Sequence, residues 1–399
     1  MRGNASVRLL ISTVLLATLG SCARLSAPML EVNELFSLSY GTMEDQIELL
    51  LDGSAIDRKT TLVMRNGLFY IGSGYGNRVM EFTSFGDLLT LYYNPDENPR
   101  PVMLEDATVT DRTTNRRAFA HSFNNVGEVA VDSRNTLLVE DRVPDRVAQF
   151  DDELGVRLNR IVVRFDSNGE QIDYIGQEGV GGSYFPYIQK LVVTANDDIV
   201  VVSVAPPRVL VFWYNSEGVL LRRLEMSNSD LPVAVDTDAR PLLESVYPDQ
   251  DFRRLYVKVN YHLQGRAAAD VAGLVSRIYW IDMASGEYEG FVDVPRNTQQ
   301  DAIFGSAEEE EFYYELIGTA SGEHLFLLSQ ESTTESQLLI LHTSGQVVRR
   351  RTLEIDYDEV LIRHLHLSHT GILSALLAKP ERAEVAWWRT DRLFDAGAP

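Results

Sequence analysis

His364 and His366 stand two apart in a run that reads as a strand, so their imidazoles share one face, with His369 just beyond. Neutral imidazoles at that spacing can share a metal ion, which makes His364 and His366 the candidate metal ligands of the chain. No obvious carboxylate partner lies close in sequence, and the plainer reading is that the pair covers one face or edge of a sheet. Glu308 to Glu311 form an acidic run before Phe312-Tyr313-Tyr314. The alternating Asp-x-Asp-x-Asp-Gly spacing of a calcium loop is absent there, so the run reads as a solvated loop. Asp249-Gln250-Asp251 and Asp236-Thr237-Asp238 have the composition of turns. Gly179 to Gly182 lacks the Lys-Ser/Thr and the helix of a phosphate cradle and reads as a flexible loop. No Gly-x-Ser-x-Gly elbow occurs, and nothing orders Ser, His and Asp into a triad. These observations assign no catalytic residue and imply no cofactor.

The remaining reactive side chain is Cys22, the single cysteine, which rules out an internal disulfide. Arg2 and Arg8 precede it, followed by an apolar run from Leu9 to Leu19 broken by Ser12, Thr13 and Thr18. That run is too short to cross a bilayer as a stable helix but suits the apolar part of a secretory signal. Leu19-Gly20-Ser21-Cys22 resembles the lipobox of bacterial lipoproteins. The resemblance implies that residues 1–21 are a signal peptide cut before Cys22, and that the thiol and the new amino group are acylated. Residues 22–33 would then be a lipidated tether. Two or more acyl chains hold a protein stably where one does not. Ala23 lacks the Asp that marks inner-membrane retention in enterobacterial lipoproteins, so the resemblance implies export to the outer membrane.

The formal net charge is −22, and removing Arg2 and Arg8 with the signal makes the mature chain about two units more negative. Such a surface repels nucleic acid, so no nucleic-acid partner is expected. No later segment is apolar enough for a membrane-spanning helix. Lysine occurs only at Lys59, Lys190, Lys258 and Lys379, which reads as a compositional bias without mechanistic weight.

The elements that must position these residues are strands. Short runs of Val, Ile, Leu, Phe, Tyr and Trp alternate with polar residues and are punctuated by Gly, Asn, Asp and Ser. Met43 to Leu51 is the one stretch that reads as a short helix. A unit recurs six times: strand, turn, strand, polar loop, strand, polar turn. Its second copy has Val129-Ala-Val131, Thr136-Leu-Leu-Val139, Ile161-Val-Val-Arg-Phe165 and Asn168-Gly169. The fourth starts at Leu255-Tyr-Val257, and a further strand follows each final turn. The unit is similar to NHL repeats and to the wider TolB-like six-bladed propellers. The implied fold is all-β, a six-bladed β-propeller of four-stranded blades over residues 34–395, preceded by the lipoprotein signal peptide. Insertions fall at about 94–123, 140–160 and 260–276. An eight-bladed ring, or two β-domains divided near Pro241, fits the chain length less well. Ring closure needs a strand from one terminus beside the other, and Leu35 to Tyr40 is expected to be the outer strand of the last blade.

A lipobox before a degenerate propeller is also similar to lipoproteins of spirochaetes. Tyr279-Trp280-Ile281-Asp282 resembles one copy of the YWTD motif of receptor propellers, and a core aromatic pair is the simpler reading. Arg349-Arg350-Arg351 and Arg222-Arg223 follow comparable turns, where charge protects outer edges from mispairing or meets a partner. The functional expectation is a membrane-tethered, non-catalytic scaffold of the cell envelope that binds a protein through its long loops. The alternative is an envelope enzyme or ligand-binding propeller, of the metal-dependent hydrolase or lactonase kind, working in its central channel.

Overall fold

The computed structural model describes residues 27–49, 58–106, 116–233, 239–262, 274–300 and 309–394. Six antiparallel four-stranded units follow one another along the chain. Blade 1 is Thr60–Arg65, Leu68–Ser73, Arg78–Thr83 and Leu88–Tyr93; blade 2 is Val129–Val131, Leu137–Arg142, Arg160–Phe165 and Gln171–Gly176. Blade 3 is Tyr187–Val193, Ile199–Ala205, Arg208–Tyr214 and Leu220–Met226; blade 4 is Pro241–Pro248, Arg254–His262, Leu274–Asp282 and Tyr288–Asp293. Blade 5 is Glu315–Ala320, His324–Gln330, Glu335–His342 and Val347–Glu354. Blade 6 takes Ile362–Leu367, Leu373–Ala378 and Arg382–Trp388 from the C-terminal end and Asn33–Ser39 from the N-terminal end. The fold is a six-bladed β-propeller, with the first strand of each blade at the centre.

The core is divided between the blades. Alternate residues of a strand point to opposite faces, so each blade feeds two interfaces. Phe69 and Ile71 pack toward blade 6, while Tyr70 between them packs toward blade 2. Ile199 and Val201 face blade 2, whereas Val200 and Val202 face blade 4. Six apolar clusters result, one per blade junction. This explains why the second strands, such as Ile199-Val-Val-Val202, are continuous apolar runs: both faces are buried.

Polar ties add to these junctions. The turns between third and outer strands are fastened to the preceding blade by arginines. Arg117 donates to Ser167 O, and Arg164 donates to Ser216 O and Glu217 O. Arg222 donates to Ala284 O and Ser285 O at 3.1 and 3.0 Å.

The seam is closed as expected. Asn33–Ser39 pairs antiparallel with Arg382–Trp388, from Asn33 opposite Trp387 to Ser39 opposite Arg382. Other features differ from the sequence reading. Met29 and Leu30, placed in the tether, pair parallel with Thr352 and Leu353 on the rim of blade 5. Residues 43–49 form turns and a bridge instead of a helix, because Ile47 N–H bonds back to Ser39 O. Leu255–Val257 belongs to the second strand of blade 4, not the first. The first begins at Pro241, which therefore lies within the ring and not at a domain boundary. Prolines at both ends and a bulge between Leu243 and Ser245 disguise its alternation.

Candidate functional site

The inner strands enclose a cavity of about 230 Å³ on the central axis. All six blades line it, through residues that include Thr61, Glu128, Lys190, Tyr247, Thr319 and His364. Strand alternation fixes which face each connection occupies. Connections between blades, and between second and third strands, lie on the face where inner strands begin; the other turns lie on the opposite face. Lys59 and Glu128 immediately precede inner strands, so they belong to the first face.

A charged network spans three blades there. The Lys59 ammonium sits 2.8 Å from Glu140 Oε2 and 3.2 Å from Glu128 Oε1, and also donates to Ile188 O. Glu140 is fully buried, and its Oε2 accepts the Glu128 N–H as well. A Cβ at Gly127 would meet that carboxylate at 2.1 Å, so glycine is required for the carboxylate to reach Lys59. Burial opposes the Lys59 charge, but Glu128 and Glu140 more than offset it and hold its pKa above the ordinary lysine range.

Lys190 is different. It follows a bulge between Ile188 and Lys190 in the inner strand of blade 3, and its ammonium lies 4.4 Å from the centre of the Tyr247 ring on blade 4. Among the described residues it makes no hydrogen bond or ion pair. Burial pushes its pKa down, and Glu128 and Glu315 only partly counter this. The Tyr247 hydroxyl likewise has no hydrogen-bond partner among the described residues, and burial raises its pKa, with Glu315 and Glu128 adding to the rise.

His364 and His366 lie on blade 6 against the inner strand of blade 1. The Leu62 N–H donates to His364 Nδ1 at 3.1 Å, and His366 faces the Met64 backbone. Burial, with Lys59 next in effect, lowers His364 to about 4; burial, with His364 next, lowers His366 to about 3. Both rings are neutral near pH 7 and tie the first blade to the last. His369 is also lowered, by burial and then Arg65. No group of three or more metal-ligating side chains occurs among the described residues.

The other sequence candidates scatter. Cys22 with Leu19, Gly20 and Ser21, Asp236 to Asp238, and Glu308 lie outside the described residues. Glu309–Phe312 is a strand paired with Asn297–Gln300 instead of a loop. Asp249 does cap a turn, accepting the Asp251 and Phe252 N–H groups, but Gln250 lines the cavity and bonds Thr319 Oγ1. Gly179 and Val180 pair with the outer strand of blade 2 and do not form a free loop. Tyr279 and Ile281 are core residues of blade 4. Arg349 and Arg351 bond the preceding carbonyls on the rim of blade 5. Sequence reasoning missed Lys190, Tyr247 and Glu128. The available signal was lysine scarcity, set aside as bias, although Lys59, Lys190 and Lys258 are all held at or beside the inner strands.

No family model matches the chain, and no curated protein matches it. Among solved structures it is similar to a streptogramin B lyase, at 10% identity over 89% of this chain and 97% of that one, TM-score 0.39. It is also similar to the calcium-binding protein regucalcin from Agrobacterium tumefaciens, at 10% identity over 86% and 92%, TM-score 0.39. The β-propeller domain of the Trilobed protease from Pyrococcus furiosus is 10% identical over 83% of each chain, TM-score 0.38. Likeness at that level concerns shape alone, and the blade count rests on the strand pairing described above.

Proposed function

We propose that this chain is a bacterial cell-envelope lipoprotein, lipidated at Cys22 and held at the outer membrane. In this reading its NHL-like, TolB-like propeller is a non-catalytic scaffold that grips a protein partner on one face. The observation that carries the reading is the placement of the insertions. Those at 94–123, 140–160 and 260–276 follow an outer strand or a second strand, so the described ends of all three leave the ring on the same face. Long connections held by a rigid frame are where binding surfaces concentrate. Two of these insertions carry exposed apolar side chains: Val102 at 81% and Met103 at 55%, and Phe150 at 65%.

The N-terminal path supports the tethering. Met29 and Leu30 are fastened to the rim of blade 5, and seven chain steps separate Cys22 from Met29. Fully extended, they reach about 25 Å. A lipid on Cys22 would therefore keep that rim beside the bilayer, with Arg349 to Arg351 on the same strand available to lipid phosphates. The insertion-bearing face is then left free at the side.

The test is photo-crosslinking in intact envelopes, with the reactive group placed at Phe150, at Val102, or at Phe85 on the opposite face. Reproducible adducts to one envelope protein from Phe150 and Val102, and none from Phe85, are expected. Equal labelling from all three positions, or none, removes the scaffold reading. Separately, Cys22→Ser should leave the membrane fraction or remain as uncleaved precursor; normal processing and retention would refute the anchor.

A further inference from the structure

Three side chains of the channel wall present hydrogen-bond donors without protein acceptors. Lys190 Nζ carries a charge and has no carboxylate partner among the described residues. The Tyr247 hydroxyl beside it is also unpartnered there. His364 accepts the Leu62 N–H on Nδ1, so the proton of its neutral ring lies on Nε2, a third donor on the same cavity. By contrast, the two other lysines nearby are matched: Lys59 by Glu140 and Glu128, and Lys258 by Glu244. Lys190 and Tyr247 are half-buried on the channel wall, and a ligand that supplies acceptors there makes a charge-assisted hydrogen bond, stronger than a neutral one.

We propose that the central channel is a binding site for a small monoanionic carboxylate. Its oxygens are held by the Lys190 ammonium, with the Tyr247 O–H and His364 Nε2–H as further donors. Its hydrocarbon part lies against Val63, Val192 and Leu365, partly exposed side chains of the same cavity. One unmatched ammonium fits one negative charge. Glu128 and Glu315 both act on Lys190 and Tyr247, so a phosphate dianion is disfavoured. A cavity of about 230 Å³ has room for a small aliphatic acid. The site needs no metal and implies no reaction, so it is distinct from the scaffold role of the insertion face.

The test uses the full chain in nonionic detergent, with pentanoate, pentanamide and pentylammonium as probes in calorimetric titrations. Pentanoate should bind, with pentanamide roughly ten- to a hundredfold weaker, the loss expected for one charge-assisted hydrogen bond, and pentylammonium should not bind. Lys190→Met should abolish pentanoate binding, and Tyr247→Phe should weaken it about tenfold. A readout that needs no variant is reductive methylation of the four lysines followed by peptide mass measurement. Pentanoate should protect Lys190 while leaving Lys379, on the surface of blade 6, unprotected. Any of three results overturns the proposal: no pentanoate binding to the wild-type chain, equal binding of pentanoate and pentanamide, or equal protection of Lys190 and Lys379.

Discussion

The neutral state of His364 and His366 has a cost that depends on pH. Each ring has a folded pKa, about 4 and about 3, below the ordinary histidine value near 6.5. The unfolded chain therefore binds more protons between those limits, and stability falls as pH drops through that window; above it the contribution is constant. Each histidine should cost on the order of 1–2 kcal/mol between pH 7 and pH 5. His364→Gln/His366→Gln should flatten that loss, read as urea midpoints at the two pH values. A double variant whose loss equals that of the wild type would show that other groups carry it. The same residues show the limit of reading chemistry from sequence. Spacing correctly put the two rings on one face, but a metal pair and a pair of interblade ties have the same spacing. What separates them is the neighbouring strand, Thr60–Arg65, some 300 residues away in sequence. Lys190 was less legible still, because its lack of a partner is a property of three dimensions.

Blades hold each other through apolar faces and through arginines that reach the next blade's turn. Arg222 gives two hydrogen bonds to carbonyls of blade 4, so Arg222→Ala should cost about 1–3 kcal/mol. Arg164→Ala should cost more, because Asp173, at 2.6 and 2.7 Å from the guanidinium, also loses its partner. Arg222→Lys should recover little, since a lysine cannot place two donors on two carbonyls in a planar fork. Thermal unfolding of the three variants checks the order, and a full recovery by lysine would count against the latch. At this scale the sequence was most informative where a strand ends in a turn with Gly or Asn. It was least informative at the inner strand of blade 4, where proline and a bulge hide the period. The pairing of Met29 with Thr352 was invisible as well, because two residues carry no periodicity.

The ring as a whole was legible because six copies of one weak pattern imply closure, and closure implies a strand borrowed from the other end. Residues 27–43 supply that strand and the addition to blade 5. A chain beginning near Glu44 should lose the single cooperative transition of the intact protein, measured by calorimetry. A sharp transition at the original temperature would mean that the seam is dispensable. The borrowed strand also sets a timetable. Asn33 meets Trp387, so the partner of one of the first strands made is among the last made. At translation rates of about 5–20 residues per second, the wait between them is roughly 20–70 s. Throughout it, a seven-residue strand with exposed edges and the unfilled side of blade 1 stand open to other chains. For a chain exported in the unfolded state the same gap is met again on the far side of the membrane, so that one edge must stay covered until residues 382–388 arrive.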